Sequence, residues 1–205
     1  MLEDLKNKLI KIAIEAEKEG LCKYKSGNFS IKDKTTNYII ITPSGVDRNL
    51  LTPDDICILD FEGNIVESKN NLKPSSEYMM HIEAYKSREN ICSIVHTHSK
   101  FATSFAVIKK DIPAVVAEAI HIFGNDGKIR VAPYAAPGTV QLAKNIIEII
   151  SKYNVCLMES HGVLAVSELG IDDAFLKSQY IEEVAQIYYY ALMINQGNQI
   201  APVTL

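Results

Sequence analysis

Three short β-branched runs follow one another between residues 38 and 66: Tyr38-Ile39-Ile40-Ile41-Thr42, Ile56 to Leu59, and Ile65-Val66. Only turn formers, Pro43, Gly45, Pro53 and Gly63, punctuate them, and no helical period intervenes. Short strands joined by turns argue against a regular βαβ winding, which needs a helix between successive strands. Helical patterns lie on either side. Leu5, Leu9, Ile12 and Ala16 form one apolar stripe that stops at Gly20, which predicts an N-terminal helix. Pro74-Ser75-Ser76-Glu77 reads as a helix start, with Ser75 or Ser76 capping and Tyr78 to Lys86 as the body.

Further along, Ile91 to His98 is a strand by its apolar content and Phe101 to Lys110 is helical. Ile129 to Ala132 is a short strand, and the stripe Leu142, Ile146, Ile149 after Pro137-Gly138-Thr139 is a helix. Val155 to Met158 and Gly162 to Val166 flank a turn at Glu159-Ser160-His161. Asp172 to about Asn195 is a long helix with Leu176, Tyr180, Val184, Ile187 and Ala191 along one side. No long linker interrupts this order, so residues 1–205 read as a single αβ domain.

With 47% hydrophobic and 22% charged residues the chain has ample material for a core, which excludes an intrinsically disordered protein. Lys and Arg total 21 against 25 Asp and Glu, a net charge of −4. A phosphate-backbone binder needs surplus cations, so nucleic acid is not the expected partner. The charged, periodic N-terminus does not resemble a signal or transit peptide. No apolar run reaches the roughly 18 residues of a membrane span. Cys22, Cys57, Cys92 and Cys156 lie far apart, mostly in apolar runs and without a C-x-x-C pair. They read as buried reduced thiols in a cytoplasmic protein.

The histidines are the most informative residues. His96-Thr97-His98 closes the predicted strand 91–98, and alternate strand residues share a face, so both rings can address one point. His161, beside Gly162 in the later turn, is a third candidate. Three such ligands with an open fourth position suit a catalytic zinc ion. Read alone, the same pattern fits a surface pair and a packed core histidine. Glu77 and His81 lie four apart and share a helix face. Glu77 can be a ligand, a general base or a helix-dipole acid; His81 can orient it or simply pack. Ser26-Gly27-Asn28-Phe29-Ser30, Thr42-Pro43-Ser44-Gly45 and Pro74-Ser75-Ser76 offer hydroxyls and backbone N–H groups suited to a phosphate. Each is equally readable as a turn.

In order, GNFS (27–30), ITPSG (41–45), PSSE (74–77), HTHS (96–99), APYAAPGT (132–139) and ESHGV (159–163) resemble the motifs of the class II aldolase family. That family contains L-fuculose-1-phosphate aldolase and L-ribulose-5-phosphate 4-epimerase. The resemblance runs from about residue 20 to 166, and the terminal helices fit it too. It implies a three-layer αβα sandwich around a mainly antiparallel sheet, assembled as a homotetramer with sites between subunits. It also implies zinc on His96, His98 and His161, with Glu77 filling the open position until substrate arrives and then acting as the base. The substrate phosphate would sit among Ser26, Gly27, Asn28, Ser44, Gly45, Ser75 and Ser76. Tyr134 would reach a neighbouring subunit's site and transfer a proton.

The implied reaction is reversible cleavage of a ketose 1-phosphate, such as L-fuculose 1-phosphate, to dihydroxyacetone phosphate and an aldehyde such as L-lactaldehyde. The epimerase has Asp in place of Glu77, and an Asp about seven residues after an I-P-A triplet. Here Ile112-Pro113-Ala114 leads to His121, so both departures favour the aldolase. Glu118-Ala119-Ile120 is similar to a catalytic Glu of the related methylthioribulose-1-phosphate dehydratase. Glu118 is therefore either a second acid/base or a polar helix-edge residue. The well-known aldolase also closes its site with a C-terminal Tyr, which Gln199 to Leu205 lacks. Glu118, His121 or Phe123 would then have to supply aldehyde selectivity, unless that selectivity is looser. A metal-free module like the adducin head is the non-enzymatic alternative, and retention of the three histidines and Glu77 speaks against it.

Overall fold

Ile39, Ile40 and Ile41 are all buried, yet they serve two different cores: Ile39 and Ile41 point to one side of the sheet and Ile40 to the other. Side chains of a strand alternate between faces, so an apolar run without polar interruption marks a strand covered on both sides. The computed structural model describes residues 2–203. It contains one eight-stranded sheet in the order β4-β3-β2-β1-β5-β8-β7-β6. In chain order the strands are β1 (Asn28–Lys32), β2 (Ile39–Ile41), β3 (Cys57–Leu59), β4 (Ile65–Glu67), β5 (Ser93–Thr97), β6 (Arg130–Ala132), β7 (Val155–Met158) and β8 (Gly162–Ser167). All neighbours pair antiparallel except β6 with β7. The helices are α1 (Glu3–Lys18), α2 (Tyr78–Ser87), α3 (Lys100–Val107), α4 (Ala117–Phe123), α5 (Val140–Ile150) and α6 (Ile171–Ile194).

Helices α2 and α5 cover one face, where Tyr85, Leu142 and Ile146 meet Ile94, Leu164 and Cys156. Helix α1 and the start of α6 cover half of the other face over Phe29, Ile31, Ile40 and Val95. Helices α3, α4 and the body of α6 cover the rest over Val155, Leu157, Val163 and Ala165. This is the expected three-layer sandwich. The four cysteines are buried and free. Among the described residues no helix is long and apolar enough to cross a membrane.

Three local expectations need correction. The cluster at Ser26–Ser30 is a turn only as far as Gly27; from Asn28 it is a central strand, because Phe29 and Ile31 alternate into the α1 side. Helix α2 begins at Tyr78 as expected, but neither serine caps it. Ser75 donates its N–H to Thr42 O at 3.0 Å, so that segment is tied to the end of β2, and Glu77 occupies the N-cap position. The Ser75 hydroxyl oxygen accepts from the Glu77 N–H at 3.3 Å. In α6 only Val184 of the predicted stripe is buried; Tyr180 and Ala191 are half-buried, Leu176 and Ile187 are exposed, and Ala174, Phe175, Ile181, Ala185 and Tyr188 complete the inward side. Apolar residues occur around most of this helix, so their period alone does not single out the buried side. At the C-terminus, the Val203 N–H donates to Ala114 O at 2.7 Å. Thr204 and Leu205, the end of the tyrosine-free tail, lie outside the described residues.

Candidate metal centre and active site

The sheet register brings the chemistry together. Asn28 of β1 lies opposite His96 of β5, and His96 lies opposite Leu164 of β8. The β7–β8 turn therefore hangs over the end of β5 and delivers His161 beside His96 and His98. The ring centroids of His96, His98 and His161 are 4.8, 4.9 and 5.1 Å apart. Their ligand nitrogens lie within 4.8 Å of one another. Gly162 makes this approach feasible: a Cβ there would fall 2.4 Å from Thr97 O and 2.9 Å from a His98 ring carbon. Gly27 plays the same part on the opposite flank. It has φ +80°, and a Cβ would lie 2.7 Å from His96 O.

Glu77, entering from α2, closes the cluster. Its Oε2 lies 3.2 Å from His96 Nε2 and its Oε1 3.3 Å from His161 Nε2. Burial works against the Glu77 charge, but His96 foremost, then His161 and Asn28, outweigh it and hold the carboxyl below its usual range. Burial, reinforced by the neighbouring rings, pushes His98 down to about 3 and His161 down to about 4. These rings are neutral near pH 7 and offer lone pairs.

The donor set fits a divalent cation. His96 Nδ1 faces Val163 O at 2.8 Å, so Nδ1 carries the hydrogen and Nε2 presents a lone pair to the cluster. His98 Nε2 lies 2.9 Å from that nitrogen, and Glu77 Oε1 is buried without a hydrogen-bond partner. Converging neutral imidazoles and a carboxylate are the ligands such an ion takes.

The other predicted residues are placed as follows. Asn28 joins the cluster through its side-chain amide, which donates to Glu77 Oε2 at 2.8 Å. Ser44, Ser75 and Ser76 line one cavity of about 390 Å³, with Lys73 and Tyr78. Gly45 is exposed in the loop beside Ser44. Ser26 is occupied locally, its hydroxyl donating to Lys23 O at 2.8 Å. Tyr134 is 57% exposed, its N–H donating to Glu159. Glu118 is exposed and lines a separate groove of about 800 Å³ with Glu19, Leu176, Tyr180 and Ile187. His121 is exposed on α4, whereas Phe123 is a core residue and is not available to an aldehyde.

Arg48 is a functional residue that sequence reasoning does not reach. Its buried guanidinium donates to the carbonyls of Tyr24 (2.9 Å), Ser26 and Gly27 (3.0 Å), so it shapes the loop ahead of β1. A lone arginine between turn residues carries no signal for such a role.

A cluster of three histidines able to hold a cation, set on an αβα sandwich, defines the class of molecule, and comparison with known proteins places it. Residues 7–189 match the family described as "Class II Aldolase and Adducin N-terminal domain". The chain is 37% identical over 163 residues to an L-fuculose phosphate aldolase of Methanococcus maripaludis, covering 80% of this chain and 84% of that one. It is 37% identical over 177 residues to a 5-deoxy-D-ribulose 1-phosphate aldolase of Bacillus thuringiensis, covering 86% and 80%. A solved L-fuculose 1-phosphate aldolase superposes with a TM-score of 0.89 at 34% identity, covering 100% of this chain and 92% of that one. The chain belongs to the class II aldolase family.

Proposed function

We propose that the protein is a zinc-dependent aldolase that cleaves a ketose 1-phosphate to dihydroxyacetone phosphate and a short aldehyde. The convergence of His96, His98, His161 and Glu77 carries this reading. The relatives, named for two different ketose 1-phosphates, support the reaction class and leave the aldehyde half open. L-fuculose 1-phosphate, yielding L-lactaldehyde, is our first choice of substrate.

A zinc ion held by the three histidines would supply a Lewis acid for the negative charge left on the phosphate-bearing fragment. The chain's own groups do the rest. Glu77 removes the proton from the carbon beside the carbonyl when the bond forms, and returns it to that carbon when the bond breaks. Ser44, Ser75 and Ser76, at the entry to α2, hold the phosphate and so fix which carbon faces Glu77. Ser26, Gly27, Asn28 and Gly45 would complete the phosphate site from the neighbouring loops. Tyr134, exposed in the single chain, fits a role completed by a neighbouring subunit, where its hydroxyl exchanges a proton with the aldehyde oxygen in a homotetramer. Glu118 and His121 are left to the aldehyde side of such an assembly.

The test is a panel of L-fuculose 1-phosphate, 5-deoxy-D-ribulose 1-phosphate and L-ribulose 5-phosphate, assayed for dihydroxyacetone phosphate before and after chelation and zinc return. Dihydroxyacetone phosphate from either 1-phosphate, lost on chelation and restored by zinc, is expected. Conversion of L-ribulose 5-phosphate to D-xylulose 5-phosphate without any dihydroxyacetone phosphate would replace the aldolase by an epimerase.

A further inference from the structure

Behind Glu77 lies a row of buried polar side chains that the proposed reaction does not itself require. Tyr85 Oη is 2.8 Å from Ser30 Oγ, which is 2.7 Å from His81 Nδ1. His81 Nε2 is 2.5 Å from Asn28 Oδ1, and Asn28 Nδ2 is 2.8 Å from Glu77 Oε2. All five residues are buried. They come from two elements, β1 and α2, whose facing sides here are polar where apolar contacts would ordinarily serve.

The direction of every bond follows from the carboxylate. Ionised Glu77 only accepts, so the Asn28 amide must turn its NH2 toward it and its carbonyl oxygen toward His81. His81 must then donate from Nε2. The ring lies wholly in the interior, where burial pushes its pKa down to about 3, so it is neutral and has only that one N–H. Nδ1 is therefore an acceptor, Ser30 donates to it, and Ser30 in turn accepts from the Tyr85 phenol. Burial raises the Tyr85 pKa and keeps the phenol protonated. Reversing any one bond requires a proton on Glu77 Oε2. The two carboxylate oxygens are thus unlike: Oε2 is engaged by Asn28, while Oε1 is buried without a hydrogen-bond partner and faces His161.

We propose that His81 is a positioning residue which, through Asn28, fixes Glu77 Oε2 as a standing acceptor and reserves Oε1 as the atom that carries the transferred proton. The proton's role rests on the aldolase reading above; the order of hydrogen bonds does not. The arrangement resembles the partners that orient metal-bound ligands from behind, whose loss costs about 10–100-fold in affinity or activity.

Two-bond ¹H–¹⁵N spectra of the histidine-labelled protein at neutral pH test the order directly. His81 is expected as a single Nε2–H tautomer in the wild type and in Ser30→Ala, where Asn28 Oδ1 still accepts from Nε2, and as a tautomer mixture in Asn28→Ala. An Nδ1–H ring, or rapid exchange between tautomers in the wild type, overturns the proposal. This readout is independent of substrate, so a protein that made no dihydroxyacetone phosphate would sink the aldolase reading and leave the tautomer to be judged alone.

In kinetics, His81→Phe keeps a ring but no donor and should lower kcat about 10–100-fold, with KM and bound metal within about twofold. His81→Gln, whose amide can donate near the Nε2 position, should recover most of that loss. Wild-type kcat in His81→Phe, or no recovery in His81→Gln, reduces His81 to packing. Should His81→Phe fail to fold, the wild-type tautomer and Asn28→Ala still decide the matter.

Discussion

Strands β1 and β5 lie side by side and present opposite surfaces. Toward α1 they show Phe29, Ile31 and Val95, all apolar and buried. Toward α2 they show, beside apolar Ile94, the polar Asn28, Ser30 and His96, equally buried and hydrogen-bonded to or in contact with Glu77 and His81. The difference is one of tolerance. The apolar side is held by non-directional burial, which accepts approximate shapes. On the polar side each group depends on a particular partner, and a buried group that loses its partner costs about 1–3 kcal/mol. Stability and chemistry are thereby separated across the thickness of a single sheet, by the two-residue period of the strand.

The sharpest way to break this division is Glu77→Gln. The amide keeps the shape and can still accept from Asn28, but it cannot take up a proton. A fall in kcat of about 10²–10⁴-fold is expected, with the histidine-bound metal retained and a small change in Tm. Steady-state kinetics with metal analysis checks this, and wild-type turnover would remove Glu77 as the base. The counterpart on the other side is Phe29→Ala, which leaves a cavity under α1. A loss of about 3–5 kcal/mol in denaturant unfolding is expected, with kcat per folded molecule unchanged within about twofold. If its kcat fell as far as that of Glu77→Gln, the two faces would not be separable.

The same division explains what could be read in the sequence. Strands β2, β3, β7 and β8 are continuous apolar runs covered on both sides, and they were legible because composition alone marks them. H-x-H followed by H-G was legible because strand alternation and a tight turn are local. Strand β1 was not: its polar face supplies Asn and Ser directly after Gly27, the residues of a turn, and only tertiary burial shows that Phe29 and Ile31 alternate against them. The partnership of Asn28 with Glu77 spans 49 residues and that with His81 spans 53, and no local pattern encodes such a contact. Glu118 illustrates the converse. Its motif likeness suggested chemistry, but α4 presents it to a groove that none of the three histidines lines.

The polar side should also respond to acid where the apolar side cannot. His81 lies at about 3 in the folded protein, against about 6.5 when unfolded. A depressed folded value means that the unfolded chain binds more protons between these limits. Stability is therefore full above about pH 6.5 and falls as pH drops toward 3, by about 1.4 kcal/mol per pH unit for one histidine. Between about pH 6.5 and 5 ordinary carboxylates remain charged, so the slope there belongs to histidines. His98 and His161, also depressed in the folded protein, add to the same slope, so the share of His81 is read as the difference between the wild type and His81→Gln. Unfolding free energy measured against pH should be shallower by one proton in His81→Gln, and an unchanged slope would show that the His81 ring titrates alike in both states.

The smallest effect concerns the rim of the polar side, and it depends on choosing between adjacent serines. Ser75 lines the cavity with Ser44 and Ser76, but its hydroxyl oxygen also accepts from the Glu77 N–H. Ser75→Ala would therefore disturb the base and the clamp together. Ser76 is exposed at the same cavity, so Ser76→Ala removes a hydroxyl from the clamp alone. A hydrogen bond to a charged group contributes about 1.5–3 kcal/mol net, and the exposed position places this one at the lower end. A rise in KM of about tenfold is expected, with kcat within about twofold, because substrate and transition state carry the same phosphate. An unchanged KM would move the phosphate away from the start of α2. A fall in kcat with KM unchanged would mean that Ser76 acts on Glu77, and that the rim and the catalytic row form one unit.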